Sequence, residues 1–192
     1  RLVGSEMCIR DRSETCAIGT NNIVTSTEFS GTIGLPLPGI DIAIKDDDGQ
    51  DTPTGHTGEI CIRGPNVMTG YYQQPEENLK AFTADGFMRT GDIGVMDERG
   101  YTRIVDRKKD MILVSGFNVF PNELENVVSL CPGVLECAAV GVADDKQGEA
   151  IKLFVVRKDP ALTEEAVAAY CREQLTGYKV PKYIEFRTEL PK

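Results

Sequence analysis

Residues 87–125 read FMRTGDIGVMDERGYTRIVDRKKDMILVSGFNVFPNELE, and this stretch decides the fold. Thr90-Gly91-Asp92 reads as a turn. Two apolar runs follow, Ile93–Met96 and Tyr101–Val105, spaced by Asp97-Glu98-Arg99-Gly100 as in a hairpin. The charged run Asp106-Arg107-Lys108-Lys109-Asp110 comes next, and then a short apolar strand at Met111–Val114. A loop at Ser115-Gly116-Phe117 leads into a helix that Pro121 starts, with Leu124, Val127 and Val128 on one face.

The pattern differs on the two sides of that charged run. Before it, from Gly31 to Arg107, the chain reads as short strands broken by turns. Ile40–Lys45 alternates apolar and other residues before Asp46-Asp47-Asp48-Gly49, and Glu59–Arg63 alternates again before Gly64-Pro65-Asn66. A short helix opens at Pro75-Glu76-Glu77, with proline and acids in its first turn. After the run, Val134–Val142 and Ile151–Val156 read as strands around a polar turn at 144–148. Thr163 caps a second helix, Gly177 is expected to stop it, and Tyr183–Phe186 is the last strand. The fold expected is mixed α/β: a β-rich, barrel- or sandwich-like subdomain followed by a small α+β domain, with the boundary near Lys108–Asp110.

A chain of 192 residues has 21 basic and 30 acidic side chains, a net charge of −9. That balance argues against a general nucleic-acid surface, which is basic. Hydrophobic content of 41% and charged content of 27% are ordinary for a globular protein. The six cysteines, at positions 8, 16, 61, 131, 137 and 171, include no C-x-x-C pair. Cys61 and Cys137 sit in apolar runs as small core residues, and reduced thiols in a cytoplasmic protein are expected. No apolar run is long enough to cross a bilayer, so any contact with the inner membrane would be peripheral.

Two residues carry the chemical argument. The Asp92 carboxylate can accept from both hydroxyls of a ribose, as the acidic residue of dinucleotide sites does. The Arg107 guanidinium donates in a fixed fork. Each has a plainer reading as well: a turn aspartate bonded to its own backbone, and a solvated basic stripe. Asp46-Asp47-Asp48 points its acids in different directions and reads as a solvated turn, not a metal site. His56 has no partner signature. The spacing of Gly58, Gly64 and Gly70 is not that of a phosphate-binding loop. The first twelve residues, RLVGSEMCIRDR, show neither helical nor strand periodicity and read as adapter-derived sequence outside the fold.

The ordered set of blocks resembles the adenylate-forming family of acyl-CoA synthetases, luciferases and peptide-synthetase adenylation domains. Ser13-Glu14-Thr15 is similar to the tail of that family's Tyr-Gly-x-[Ser/Thr]-Glu block. Gly58–Gly64 through Gly70-Tyr71-Tyr72 is similar to its GE…GY block, and Arg89-Thr90-Gly91-Asp92 to its ribose-binding segment. Asp106-Arg107 through Gly116, with Glu123-Leu124-Glu125, is similar to its hinge segment. The run DRKKDMILVSGFNVFPNELE and the later PKYIEF most resemble bacterial long-chain fatty acyl-CoA synthetases.

The resemblance implies residues 13–108 as the end of a large AMP-binding domain and 109–192 as a small C-terminal domain. It implies a ligase that forms acyl-AMP from a fatty acid and ATP with Mg²⁺, then a thioester with CoA. Asp92 and Arg107 would hold the ATP or AMP ribose. Glu14 would ligate Mg²⁺, with Ser13 or Thr15 beside a phosphate. Lys109 would be the hinge about which the small domain turns, and Ser115, Gly116 and Phe117 would line the pantetheine path of CoA. The family's phosphate loop and most of the acyl pocket should lie before residue 13. Its final catalytic lysine should lie after Lys192, so these 192 residues alone are expected to be inactive. An aryl, medium-chain or carrier-protein-dependent ligase, or a non-catalytic module retaining the fold, would share these blocks.

Overall fold

A computed structural model of the chain describes residues 10–22 and 31–190. They fall into two compact units, one ending at Lys108 and the other beginning at Lys109. The class is mixed α/β, as expected, with sheets and few helices. No helix among the described residues is long and apolar enough to cross a membrane.

The first unit opens with β1 (Arg10–Arg12), β2 (Ala17–Asn21) and β3 (Leu35–Pro36), a small antiparallel sheet. Residues 1–9 of the adapter-like segment lie outside the described residues. Arg10–Arg12 depart from the expectation, because they pair with β2. A three-residue strand needs only main-chain donors and acceptors, so side-chain periodicity cannot announce it.

The main sheet of this unit is an antiparallel meander in sequence order: β4 (Asp41–Lys45), β5 (Gly58–Arg63), β6 (Met88–Met96) and β7 (Thr102–Arg107). Helix α1 (Pro75–Ala81) precedes β6 and carries the acids and proline that predicted it in its first turn. The sheet is open, not closed into a barrel. Its last strand instead makes an isolated bridge from Thr102 to Gly34.

One difference from the sequence reading positions the candidate site. β6 begins at Met88, so Thr90-Gly91-Asp92 lies inside a strand and not in a turn. Register explains how. Ile93 faces Glu59 and Arg89 faces Cys61, so Thr90, Gly91 and Asp92 together oppose only Ile60. Gly91 sits at φ 72°, a left-handed conformation that glycine adopts without steric cost. This is a bulge, and a bulge uses the same residue type as a turn.

The second unit contains a hairpin, β8 (Ile112–Val114) and β9 (Phe117–Val119), then α2 (Pro121–Val128), β10 (Val134–Asp144), β11 (Gly148–Arg157), α3 (Glu164–Gln174) and β12 (Tyr183–Arg187). β11 is central. It pairs antiparallel with β10 along its length, and parallel with β12. The core gathers Ile112, Val119, Leu124, Val128, Leu153 and Val167, among others, from both helices and the sheet.

Thr163 caps α3 as its residue type predicts: its hydroxyl accepts from the Ala166 N–H at 3.2 Å. Gly177 does not stop that helix. The helix ends at Gln174, where Leu175 turns extended, and Gly177–Lys179 forms a 3₁₀ turn of its own.

Candidate functional site

Asp92 and Arg107 are direct partners across the β6–β7 ladder. Residues directly opposite one another in an antiparallel pair project from the same face, with Cβ atoms about 5 Å apart. Asp92 is buried, at 7% exposure, whereas Arg107 is exposed. The hairpin therefore presents a sheltered acceptor and an accessible forked donor side by side.

The bulge that bears Asp92 is held by three hydrogen bonds. The Thr90 hydroxyl donates to the Ile60 carbonyl at 2.7 Å, and the Asp92 N–H donates back to that hydroxyl at 3.2 Å. The Gly91 N–H donates to Glu59 Oε1 at 3.0 Å. The other oxygen of Glu59 takes Arg89 at 2.9 Å and Lys108 at 3.2 Å. Lys108 reaches on to Asp47 at 2.7 Å. Burial pulls the Lys108 amine down, but the hydrogen bond to Asp47 and the charge of Glu59 outweigh it and the net shift is upward. The hydrogen bond from Lys108 holds Asp47 below the usual carboxylate range.

Asp47 is therefore more than part of a solvated acidic turn. The turn itself forms as expected: Asp46 Oδ1 accepts from the Gln50 N–H at 2.8 Å. Among the described residues, no group of three His, Cys, Asp or Glu side chains is arranged to hold a metal.

A cleft of about 530 Å³ lies along this network, lined by Lys45, Asp47, Asp85, Arg89 and Lys108 among others. Lys45 is 2% exposed and bonds Asp51 at 2.7 Å and Asp85 at 2.8 Å. Arg89 and Lys108 are engaged by Glu59. The cations of this wall are already neutralised, so the cleft has little to offer an anionic ligand.

Ser13, Glu14 and Thr15 form a 3₁₀ turn. Ser13 is exposed and Thr15 is buried. Glu14 Oε1 accepts from the Tyr71 hydroxyl at 3.1 Å, and the Thr15 carbonyl accepts from Asn66 at 2.9 Å. The fold thus ties this turn to the Gly64–Tyr72 segment.

In the second unit, Lys109 is exposed and lies in the 3₁₀ turn Lys108–Asp110. Ser115 and Gly116, at φ 51° and 84°, form the two-residue turn of the β8–β9 hairpin. Phe117 belongs to β9 and not to a loop. Its ring is 56% exposed and stacks on Tyr178 at 4.8 Å. Burial pushes the thiols of Cys61 up to about 12 and of Cys137 and Cys171 to about 11, so none is a thiolate at neutral pH.

Sequence reasoning missed Glu59, Arg89 and Lys108 as a connected group. Glu59 and Arg89 lie in the quoted blocks, but nothing in their spacing announces that a bulge brings a carboxylate of β5 under a glycine of β6.

The sequence profile described as "AMP-binding enzyme" matches residues 12–72, and that of "AMP-binding enzyme C-terminal domain" matches residues 123–192. The chain belongs to the AMP-binding enzyme family. It is 60% identical over 163 residues to a long-chain-fatty-acid–CoA ligase of Escherichia coli O6:H1, covering 85% of this chain and 29% of that protein. Among solved structures, ATP-bound MatB from Rhodopseudomonas palustris superposes with a TM-score of 0.85 at 39% identity, covering 93% of this chain and 36% of that one. o-Succinylbenzoate CoA synthetase (MenE) from Bacillus subtilis, in complex with the acyl-adenylate intermediate OSB-AMP, gives 0.78 at 34% identity, covering 94% and 37%. The chain thus spans about three-tenths of the length of the curated relative it matches.

Proposed function

We propose that this AMP-binding chain is part of an ATP-dependent ligase that joins a long-chain fatty acid to CoA through an acyl-adenylate. The observation that carries the reading is the Asp92–Arg107 pair, a buried carboxylate and an exposed guanidinium opposed across one hairpin. The Asp92 carboxylate accepts from the ribose hydroxyls of ATP. Arg107 donates to the same sugar or to the α-phosphate, and its charge offsets the negative charge developing there. Both substrates are anionic, so holding and orienting them supplies much of the rate of the first step.

Glu14 suits Mg²⁺, a hard ion that usually takes one or two carboxylates and completes its shell with phosphate and water. The ion would supply charge neutralisation on the triphosphate. Exposed Ser13 fits a phosphate contact better than buried Thr15. Lys109, the first residue of the second unit, serves as the pivot, since hinges need only a few positions at element ends. The hairpin turn at Ser115-Gly116, with Phe117, borders the path of the CoA arm. Residues 13–108 then close a large nucleotide-binding domain and 109–192 belong to a small mobile one. The fatty-acid specificity rests on the name of the 60%-identical relative.

The test is the full-length gene product carrying these residues, supplied with ATP, Mg²⁺, CoA and a panel of carboxylic acids. Oleate or palmitate should yield acyl-CoA, AMP and pyrophosphate. Product only with aryl or short acids would overturn the substrate assignment, and no nucleotide turnover with any acid would overturn the ligase.

A further inference from the structure

Glu59 engages three donors with one carboxylate that is only 5% exposed. The Gly91 N–H donates to Oε1 at 3.0 Å, and Arg89 and Lys108 approach Oε2 at 2.9 and 3.2 Å. Each donor belongs to a segment that carries the Asp92–Arg107 pair. Gly91 immediately precedes Asp92, Arg89 enters the same bulge, and Lys108 immediately follows Arg107. Resting on the ribose reading above, we infer that Glu59 is the positioning residue of the nucleotide site. It fixes the backbone from which Asp92 projects and anchors the end of β7 from which Arg107 projects.

Stability alone does not account for this arrangement. A buried ion pair contributes little more than well-packed hydrocarbon of the same volume, and often less. What a buried carboxylate adds is geometry: a charge-assisted bond to a specific N–H fixes a backbone conformation that a hydrophobic side chain would leave free. The Gly91 bulge is such a conformation. Its left-handed glycine and its three-against-one register need a fixed acceptor beneath them.

The experiment is calorimetric titration of the full-length gene product with AMP and with dideoxy-AMP, which lacks both ribose hydroxyls. The unsubstituted protein should prefer AMP by at least about tenfold, the worth of a hydrogen bond to a charged group. Asp92→Asn should bring that ratio near one. Glu59→Ala should lower that ratio almost as far, even where displacement of Arg107 weakens a phosphate contact that both nucleotides share. A role confined to folding would weaken both nucleotides equally, and that result overturns the inference. An Asp92→Asn protein that keeps the preference sinks the ribose reading and this one with it. Loss of the preference in Asp92→Asn but not in Glu59→Ala sinks the positioning role alone. If Glu59→Ala does not fold, Glu59→Gln and Lys108→Met are read by the same ratio. An unaltered preference in both overturns the inference.

Discussion

Among the described residues, the first unit buries Lys45, Glu59, Asp92 and Asp106, with five threonines; the second buries no polar or charged residue whole, although the side chain of Asp144, paired with Lys182, is 6% exposed. There the interior is aliphatic carbon and thiols, packed between one sheet and two helices. The contrast separates two uses of burial. Hydrocarbon contributes stability in proportion to area without requiring any particular orientation. Buried charge contributes little net stability, but it fixes which atoms face which. On the proposed reading, the first unit aims a carboxylate and a guanidinium at one ligand, which gives it reason to accept the second kind.

The largest expected effect breaks the hydrocarbon side. Leu153 is fully buried on central strand β11. Leu153→Ala should cost roughly 3 kcal/mol, as the lost transfer energy adds to an unfilled cavity. Hydrogen exchange should rise at the amides of β10, β11 and β12 and stay unchanged in β4 to β7, where the polar network holds. Equal loosening of both units would mean that they do not have separate cores.

Next in size is a change that should leave stability alone. Asp92→Asn keeps shape and removes charge, so AMP affinity should fall about tenfold to a hundredfold, the range of roughly 1.5–3 kcal/mol for a charged hydrogen bond. The thermal transition should hardly move. Unfolding with no loss of nucleotide affinity would make Asp92 a structural residue.

How much of this was legible in the sequence follows the same division. The second unit shows itself through periodicity, as with Leu124 and Val128 on α2, buried where spacing places them. Its core is made of patterns, and patterns survive in one dimension. The first unit yielded the strands of its main sheet, but neither its small opening sheet nor its joints. Gly91 signals a backbone break without saying whether the break is a turn or a bulge, and Glu59 gives no sign that Gly91 lies above it. Such contacts depend on register, which a one-residue slip would erase. β8 was read from its apolar run, but β9, and with it the hairpin, was missed for a related reason: a three-residue strand is too short to show a period of two.

Acid should act on the first unit more gently. The hydrogen bond from Lys45, and after it that from Thr83, hold Asp85 at about 2, well below its ordinary 3.8. The native state thus binds this proton less readily than the unfolded one. The stabilisation is complete above the unfolded pKa and disappears as pH falls through about 2. Asp85→Asn should lower the stability of the first unit at neutral pH and flatten its decline between about pH 4 and about pH 2. Thermal unfolding across that range, followed at amides of β4 and β5, provides the check. An unchanged slope would leave the Lys45 pair without a thermodynamic role.

The smallest effect falls on the turn between β8 and β9. Ser115 adopts φ 51° and Gly116 φ 84°, both left-handed, as a two-residue type I′ hairpin requires. Gly116 adopts this freely, but serine does so at a cost because its Cβ crowds the backbone. Asparagine is the side chain that best tolerates the first position of such a turn. Ser115→Asn should therefore stabilise the second unit by roughly 0.5 kcal/mol, measured as a shift in its denaturation midpoint. Nucleotide affinity should not change, because none of the residues proposed to hold ATP lies in this hairpin. CoA affinity is the sharper readout. If Ser115-Gly116 borders the CoA arm, a longer side chain there should raise the KM for CoA and leave that for ATP alone. A stabilised hairpin with no change in either KM would keep the turn chemistry and remove the CoA assignment.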